Sequence, residues 1–323
     1  MSSPDSRPVL VTGGAGFIGS HLVDRLLSEG FAVTVVDDLS TGRQSNLEAA
    51  SVRPGFRFRQ AKVSEWPDLA AEVARSRAVV HFAAAVGVEL VMKSPIRTIE
   101  TNLGETESIL AAAAPVRVPV LLASTSEVYG KSNKTEFTET DDLLIGPPTL
   151  GRWSYACSKL MDEFLALAYM RERGLPVTIA RFFNTVGPRQ TGAHGMVIPR
   201  FLEAARTGAP LRVYGDGQQT RCFCHVLDTV EAVYRLLGAP EAVGRVVNVG
   251  NDVSVTIRGL AERVVARTGS ASRIESIPYS DAFGPGFEDM LHRRPSLSTL
   301  EGLTGFRPRR SLDEILDDLI RDR

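Results

Sequence analysis

The sequence predicts an α/β chain built on a doubly wound parallel sheet, with a smaller, discontinuous C-terminal lobe. Three observations predict it. Short apolar runs alternate with amphipathic stretches through the first two thirds. A glycine-rich turn joins the first run to the first amphipathic stretch, and an aspartate closes the second run. Strands that are apolar throughout and separated by helices are covered on both faces, and right-handed crossovers wind such a sheet in two directions.

Taken in order, Val9–Thr12 reads as a strand and Phe17–Ser28 as a helix. Ala32–Val36, Phe56–Ala61, Ala78–Phe82, Val118–Ala123 and Pro176–Arg181 read as further strands, with helical patterns at Pro95–Ala113 and Arg152–Arg173. After Asn184 glycine and proline punctuate the chain, and short elements there join those at about 270–310 in a second lobe. Val246–Val249 reads as a strand returning to the main sheet, and Ser311–Arg323 as a surface helix. The expected division is a first domain over 1–183, with the return strand near 226–250, and a lobe over 184–323 interleaved with it.

A length of 323 residues suits one large domain plus a smaller lobe. The net charge of −1 argues against a nucleic-acid surface. No run reaches the roughly 20 apolar residues that span a bilayer, and the polar start lacks a signal-peptide core, so a cytoplasmic protein away from membranes is expected. The three cysteines, Cys157, Cys222 and Cys224, are too few for a disulfide framework. Cys222, Cys224 and His225 are close together, but their spacing does not suit tetrahedral zinc, so no metal is expected and the two cysteines read as buried strand residues.

The turn after the first strand is Thr12-Gly13-Gly14-Ala15-Gly16-Phe17-Ile18-Gly19. Glycines at 13, 16 and 19 permit a tight turn, close approach of a pyrophosphate and close helix–strand packing, and the helix start offers free N–H groups. This makes the sheet Rossmann-type. Asp37 follows Gly19 by 18 residues. A carboxylate there accepts from the adenosine ribose hydroxyls and repels a 2′-phosphate, favouring NAD over NADP. Asp38 either shares that role or is solvated, and Ser40, Thr41 and Gly42 form a polar loop beside it. Phe82, Ala83, Ala84 and Ala85 follow the fourth strand, where small residues let the backbone run under a cofactor.

Tyr155 and Lys159 lie one helical turn apart. An ammonium beside a phenol favours the phenolate, which would make Tyr155 a base at neutral pH, while Lys159 also holds the nicotinamide ribose. Ser124, Thr125, Ser126 and Glu127 end the preceding strand, in the crevice where such sheets bind ligands. Thr125 is placed to relay a proton or hydrogen-bond a substrate oxygen beside Tyr155. Glu127 is either a second crevice carboxylate or a loop salt bridge.

Together with Arg181-Phe182-Phe183-Asn184, Gly187-Pro188-Arg189, Tyr214-Gly215-Asp216-Gly217, Thr220-Arg221 and Arg293-Arg294-Pro295, these motifs resemble the NAD-dependent epimerase/dehydratase family along nearly the whole chain. The resemblance implies NAD as cofactor, a UDP-sugar as substrate, and Thr125, Tyr155 and Lys159 as the catalytic group, with Ser126 and Glu127 beside them. It implies that Asn184, Arg221 and Arg293 bind the diphosphate, and that Val197, Val213 and Tyr214 lie near the uracil. Val63 and Phe182 join the cofactor site, Asn102 supports it, and Val86, Arg189 and Thr191 join the substrate site. Lys62-Val63 departs from the family, which commonly has an acid before the aliphatic residue at the adenine edge. The family commonly forms homodimers through a four-helix bundle, which Pro95–Ala113 and Arg152–Arg173 would supply.

The implied chemistry is transient oxidation at C4 of the sugar. Only one acid, Glu127, follows Thr125, whereas dehydratases of the family carry an Asp-Glu pair, so dehydration ranks low. Thr-Ser-Glu-Val-Tyr-Gly, Arg152-Trp153-x-Tyr155 and His292–Ser296 resemble UDP-glucuronate decarboxylases; Ala84–Val88, Arg181–Gln190 and Gly286–Met290 resemble 4-epimerases. The expected function is therefore a UDP-sugar 4-epimerase, with UDP-glucuronate favoured and UDP-glucose next. A UDP-glucuronate decarboxylase is the alternative. A non-catalytic NAD sensor is a third reading, disfavoured because Tyr155, Lys159 and Thr125 are all kept.

Overall fold

The computed structural model describes residues 6–85, 94–191, 196–283 and 290–321. Its main sheet holds β1 (Val9–Thr12), β2 (Val33–Asp37), β3 (Phe56–Gln60), β4 (Ala78–His81), β5 (Val120–Thr125), β6 (Val177–Phe182) and β7 (Val246–Val249). They lie in the order β7-β6-β5-β4-β1-β2-β3, and every neighbouring pair is parallel. Between β1 and β4 the winding reverses, which opens a crevice at the carboxyl ends of the strands.

Most of these strands are buried along their length, as uninterrupted apolar runs require. β3 differs. Phe56 and Phe58 pack inward while Arg57 and Arg59 face solvent, because an edge strand has one covered face. β5 and β6 run two and one residues past their expected ends, so Ser124, Thr125 and Phe182 are strand residues.

The principal helices are α1 (Phe17–Ser28), α2 (Leu69–Arg75), α3 (Pro95–Ala113), α4 (Ser154–Arg173), α5 (Val197–Thr207), α6 (Val226–Leu237), α7 (Ile257–Thr268) and α8 (Leu312–Arg321). Leu22 and Leu26 of α1 meet Val230 and Val233 of α6 in the core on one sheet face. Ile109 and Leu110 of α3, Ala166 of α4 and Val73 of α2 fill the core on the other. α4 begins two residues later than Arg152 because Gly151–Trp153 winds as a tighter 3₁₀ turn. It ends at Gly174, whose φ of +65° an L side chain rarely adopts.

Beyond β6 the strands are short. Thr185–Val186 pairs with Cys224–His225, Thr220–Cys222 with Ser254–Thr256, and Leu211–Tyr214 with Ile274–Ile277. The last pairing joins segments on either side of β7. A third core gathers Ile198, Phe201 and Leu202 of α5, Leu260 and Val264 of α7, and Ile315 and Leu316 of α8. Cys222 and Cys224 are buried strand residues as expected, and burial pushes their thiols up to about 11 and about 12. Among the described residues no helix is long and apolar enough to cross a membrane.

Candidate active site

One continuous cavity of 1490 Å³ runs from the glycine turn across the sheet ends to α5 and Tyr214. Single ligands commonly need about 300–1000 Å³, so there is room for a cofactor and a substrate end to end.

At the cofactor end, Gly13, Gly16, Phe17, Ile18 and Gly19 line the wall. A Cβ on Gly19 would stand 2.3 Å from Gly13 O, and one on Gly13 would stand 2.7 Å from Ala83 N. Both contacts are with backbone, so glycine is required. No side chain caps the start of α1, which leaves its N–H groups to the cavity. Asp37 accepts from Ala15 N at 2.9 Å through Oδ2 and from Leu39 N at 2.8 Å through Oδ1. Each oxygen keeps a lone pair for a ribose hydroxyl. Burial, helped by the neighbouring Asp38 charge, pushes this carboxyl up, and the N–H groups of Leu39, Ala15 and Gly16 pull it back. Asp38, Ser40, Thr41, Val63, Phe82, Ala83, Ala84, Ala85, Ser124 and Phe182 complete that wall. This cradle fits a dinucleotide.

Two predicted cofactor residues act from behind the wall. Gly42 lies where a Cβ would stand 2.9 Å from Asp37 Oδ1. Asn102 is buried; its Oδ1 accepts from Ala85 N at 2.7 Å and its amide donates to Ser158 Oγ at 3.0 Å, tying α3 and α4 to the segment under the cofactor. At the adenine edge, Lys62 pairs with Glu65 at 2.8 Å, and Val63 N donates to buried Glu105 at 2.9 Å. Glu105 lines the cavity and was not legible as a site residue, since it is one acid among several on α3.

In the middle of the cavity Thr125, Ser126, Glu127, Tyr155 and Lys159 come together. Thr125 Oγ1 accepts from Glu127 N at 3.2 Å and hydrogen-bonds the Tyr155 phenol. Burial, then the Glu127 carboxylate, push the Tyr155 phenol above its ordinary value near 10, while the Thr125 hydroxyl and the Arg293 guanidinium pull it back. The Lys159 ammonium is taken up by Asp162, Nζ to Oδ2 at 2.7 Å.

Glu127 is both crevice residue and salt bridge. It pairs with Arg152 through Oε2, and Arg293 Nη2 donates to its Oε1 at 2.9 Å. Burial raises this carboxyl, but the two guanidiniums outweigh it and hold it at about 2. Arg152, which opens the Arg152-Trp153-x-Tyr155 motif, was not read from the sequence as a site residue. Its signal was position, three residues before Tyr155 on the turn leading into α4.

Asn184, Arg189, Thr191, Val197, Tyr214, Arg221 and Arg293 line the substrate end. Asn184 donates to Cys222 O at 3.0 Å, Arg189 donates to Asp24 of α1 at 2.7 Å, and the Arg200 guanidinium lies over the Tyr214 ring. Val213 does not line the cavity: it is buried in the third core, because neighbours on a strand point to opposite faces. Val86 lies outside the described residues.

Residues 9–250 match the model of the NAD dependent epimerase/dehydratase family. The chain is 39% identical to the UDP-N-acetyl-alpha-D-glucosaminuronate decarboxylase of Bacillus cytotoxicus, over 97% of this chain and 96% of that one. It is 38% identical to UDP-glucuronic acid decarboxylase 2 of Arabidopsis thaliana, over 97% and 67%. The UDP-glucose 4-epimerase of Thermotoga maritima, solved with UDP-glucose, superposes with a TM-score of 0.85 at 27% identity, over 98% of both chains. The expected 4-epimerase is thereby corrected, since these relatives at 39% and 38% identity are decarboxylases of UDP-linked uronates, whereas the epimerase shares 27%. The physical reason is that both reactions begin with the same C4 machinery, so its motifs do not separate them. The chain belongs to the NAD-dependent epimerase/dehydratase family, and its cofactor is NAD.

Proposed function

We propose that this protein is an NAD-dependent decarboxylase of a UDP-linked glucuronate, bearing either a hydroxyl or an acetamido group at C2. The observation that carries the reading is Glu127 held between Arg152 and Arg293 beside Tyr155 and Thr125.

The cradle lined by Gly13–Gly19 and Asp37 would hold NAD⁺, which would supply a hydride acceptor for C4 of the sugar and a donor to reduce it again. Tyr155 takes the O4 proton, relayed or held by Thr125. The product of that step is a β-keto acid, whose carboxylate leaves as CO₂ when its bond to C5 lies across the carbonyl π-system; the bond's electron pair passes into the carbonyl as an enolate, which takes a proton from water at C5. Arg152 and Arg293 with Glu127 leave one net positive charge for that carboxylate. A free pair of guanidinium forks would bind it tightly and oppose its loss of charge. Glu127 occupies the forks, so the sugar carboxylate is steered without being over-stabilised. Arg221 and Asn184 face the diphosphate, and residues 184–323 mainly form the UDP-sugar lobe.

The test is incubation with UDP-glucuronate and, separately, UDP-N-acetylglucosaminuronate, with mass and proton NMR of the product. Loss of CO₂ from either supports the reading. A C4 isomer of unchanged mass, or no turnover of either, overturns it.

We also propose a homodimer. Ile96 and Ile99 on α3 and Met161 and Phe164 on α4 form an exposed apolar stripe, with Phe164 58% exposed. A second copy crossing it would give a four-helix bundle.

A further inference from the structure

Next to the catalytic pair lies a carboxylate that the proposed chemistry leaves unused. Asp162 bonds Lys159 three residues away on α4, and the two side chains are 0% and 4% exposed. Lys159 is the charged group bonded to this buried carboxylate, and the Thr106 hydroxyl stands against it as well. With little water to screen it, such a pair keeps much of its Coulomb attraction.

The surrounding charges are engaged elsewhere. Glu163, next on α4, accepts from Arg181 of β6 at 2.9 and 2.7 Å and from Ser124 of β5. Glu127 is held by Arg152 and Arg293. His81 of β4 faces Lys159 as a neutral ring, because burial and then the ammonium push it down to about 3. From α3 the neighbour of Asp162 is the uncharged Thr106.

We propose that Asp162 is a positioning residue for the catalytic pair: its carboxylate fixes where the Lys159 ammonium stands and screens part of that charge from the Tyr155 phenol. The proposal rests on the decarboxylase reading only for the role of Tyr155 as base. The Asp162 charge itself also raises the Tyr155 phenol.

Asp162→Asn removes the charge and keeps the shape. With NAD bound, tyrosinate difference absorbance, taken against the same protein carrying Tyr155→Phe, is expected to show a midpoint about one pH unit below wild type. The acid limb of kcat/KM is expected to move down equally, and Asp162→Glu to return both toward wild type. A folded Asp162→Asn with an unmoved midpoint overturns the proposal, as does a shift reproduced by Asp162→Glu. If the asparagine variant does not fold, Asp162→Ala gives the same comparison. Loss of native circular dichroism in both would assign Asp162 to the fold and also overturn the proposal. Absence of CO₂ release by wild type counts against the decarboxylase reading alone, since the tyrosinate titration needs no turnover.

Discussion

Arg293 Nη2 reaches Glu127 Oε1 at 2.9 Å across 166 residues of sequence, and Arg152 closes on the other oxygen of the same carboxylate. Releasing the two forks by Glu127→Gln should let them grip the sugar carboxylate. KM for UDP-glucuronate is expected to fall while kcat for CO₂ release falls by about 10- to 100-fold. Steady-state kinetics with trapped CO₂ reads both; a variant with raised KM and unchanged kcat counts against the arrangement.

Tyr155→Phe keeps the buried ring and removes the proton acceptor. Turnover is expected to drop by about 10²–10⁴-fold with NAD binding retained, measured by cofactor titration alongside product formation.

Gly19→Ala places a methyl 2.3 Å from Gly13 O, which cannot withdraw without moving the turn. The expected cost is about 1–3 kcal/mol of stability, together with loss of measurable NAD affinity. Thermal melts with and without NAD check it: the wild-type rise in Tm on adding NAD should vanish.

His81 is neutral in the fold, with Nδ1 against Thr12 Oγ1 at 2.7 Å and its pKa pushed down to about 3 from 6.5. The unfolded chain therefore binds a proton that the folded one refuses. The contribution is full above pH 6.5 and is lost as pH falls toward 3. Tm should fall between pH 6.5 and 5, and His81→Gln should flatten that slope. His21 and His225 are lowered in the same direction by burial, so some slope should remain.

If the α3/α4 stripe is a dimer face, Phe164→Glu should yield monomers by analytical ultracentrifugation at concentrations where wild type is dimeric. An unchanged sedimentation coefficient would rule that face out.

Much of the cofactor end was legible because its signals are local. The glycine turn, Asp37 and the alanines after β4 each announce themselves within a few residues, and α1 and α3 follow from periodicity alone. The substrate end was legible only in part. Val213 and Tyr214 carry one motif, but strand alternation sends one of them into a core. The Glu127–Arg152–Arg293 cluster was invisible as a unit because its members come from three distant segments. The three motifs that carry these residues resemble UDP-glucuronate decarboxylases, whereas Ala84–Val88, Arg181–Gln190 and Gly286–Met290 resemble 4-epimerases, and the second set weighed more in the sequence reading.

Arg293 stands on a segment stitched to the rest of the protein at defined points. Phe137 N donates to Arg294 O at 2.8 Å, Ser296 N donates to Phe137 O at 2.8 Å, and buried Asn248 clips both sides while accepting from Tyr129. None of these stitches involves the glycine turn, Asp37 or Tyr155. On the proposed reading, redox work at C4 and the fate of the C5 substituent therefore rest on separately anchored parts. A related chain could exchange the strap around 290–296 and redirect the product while leaving its oxidising half unaltered.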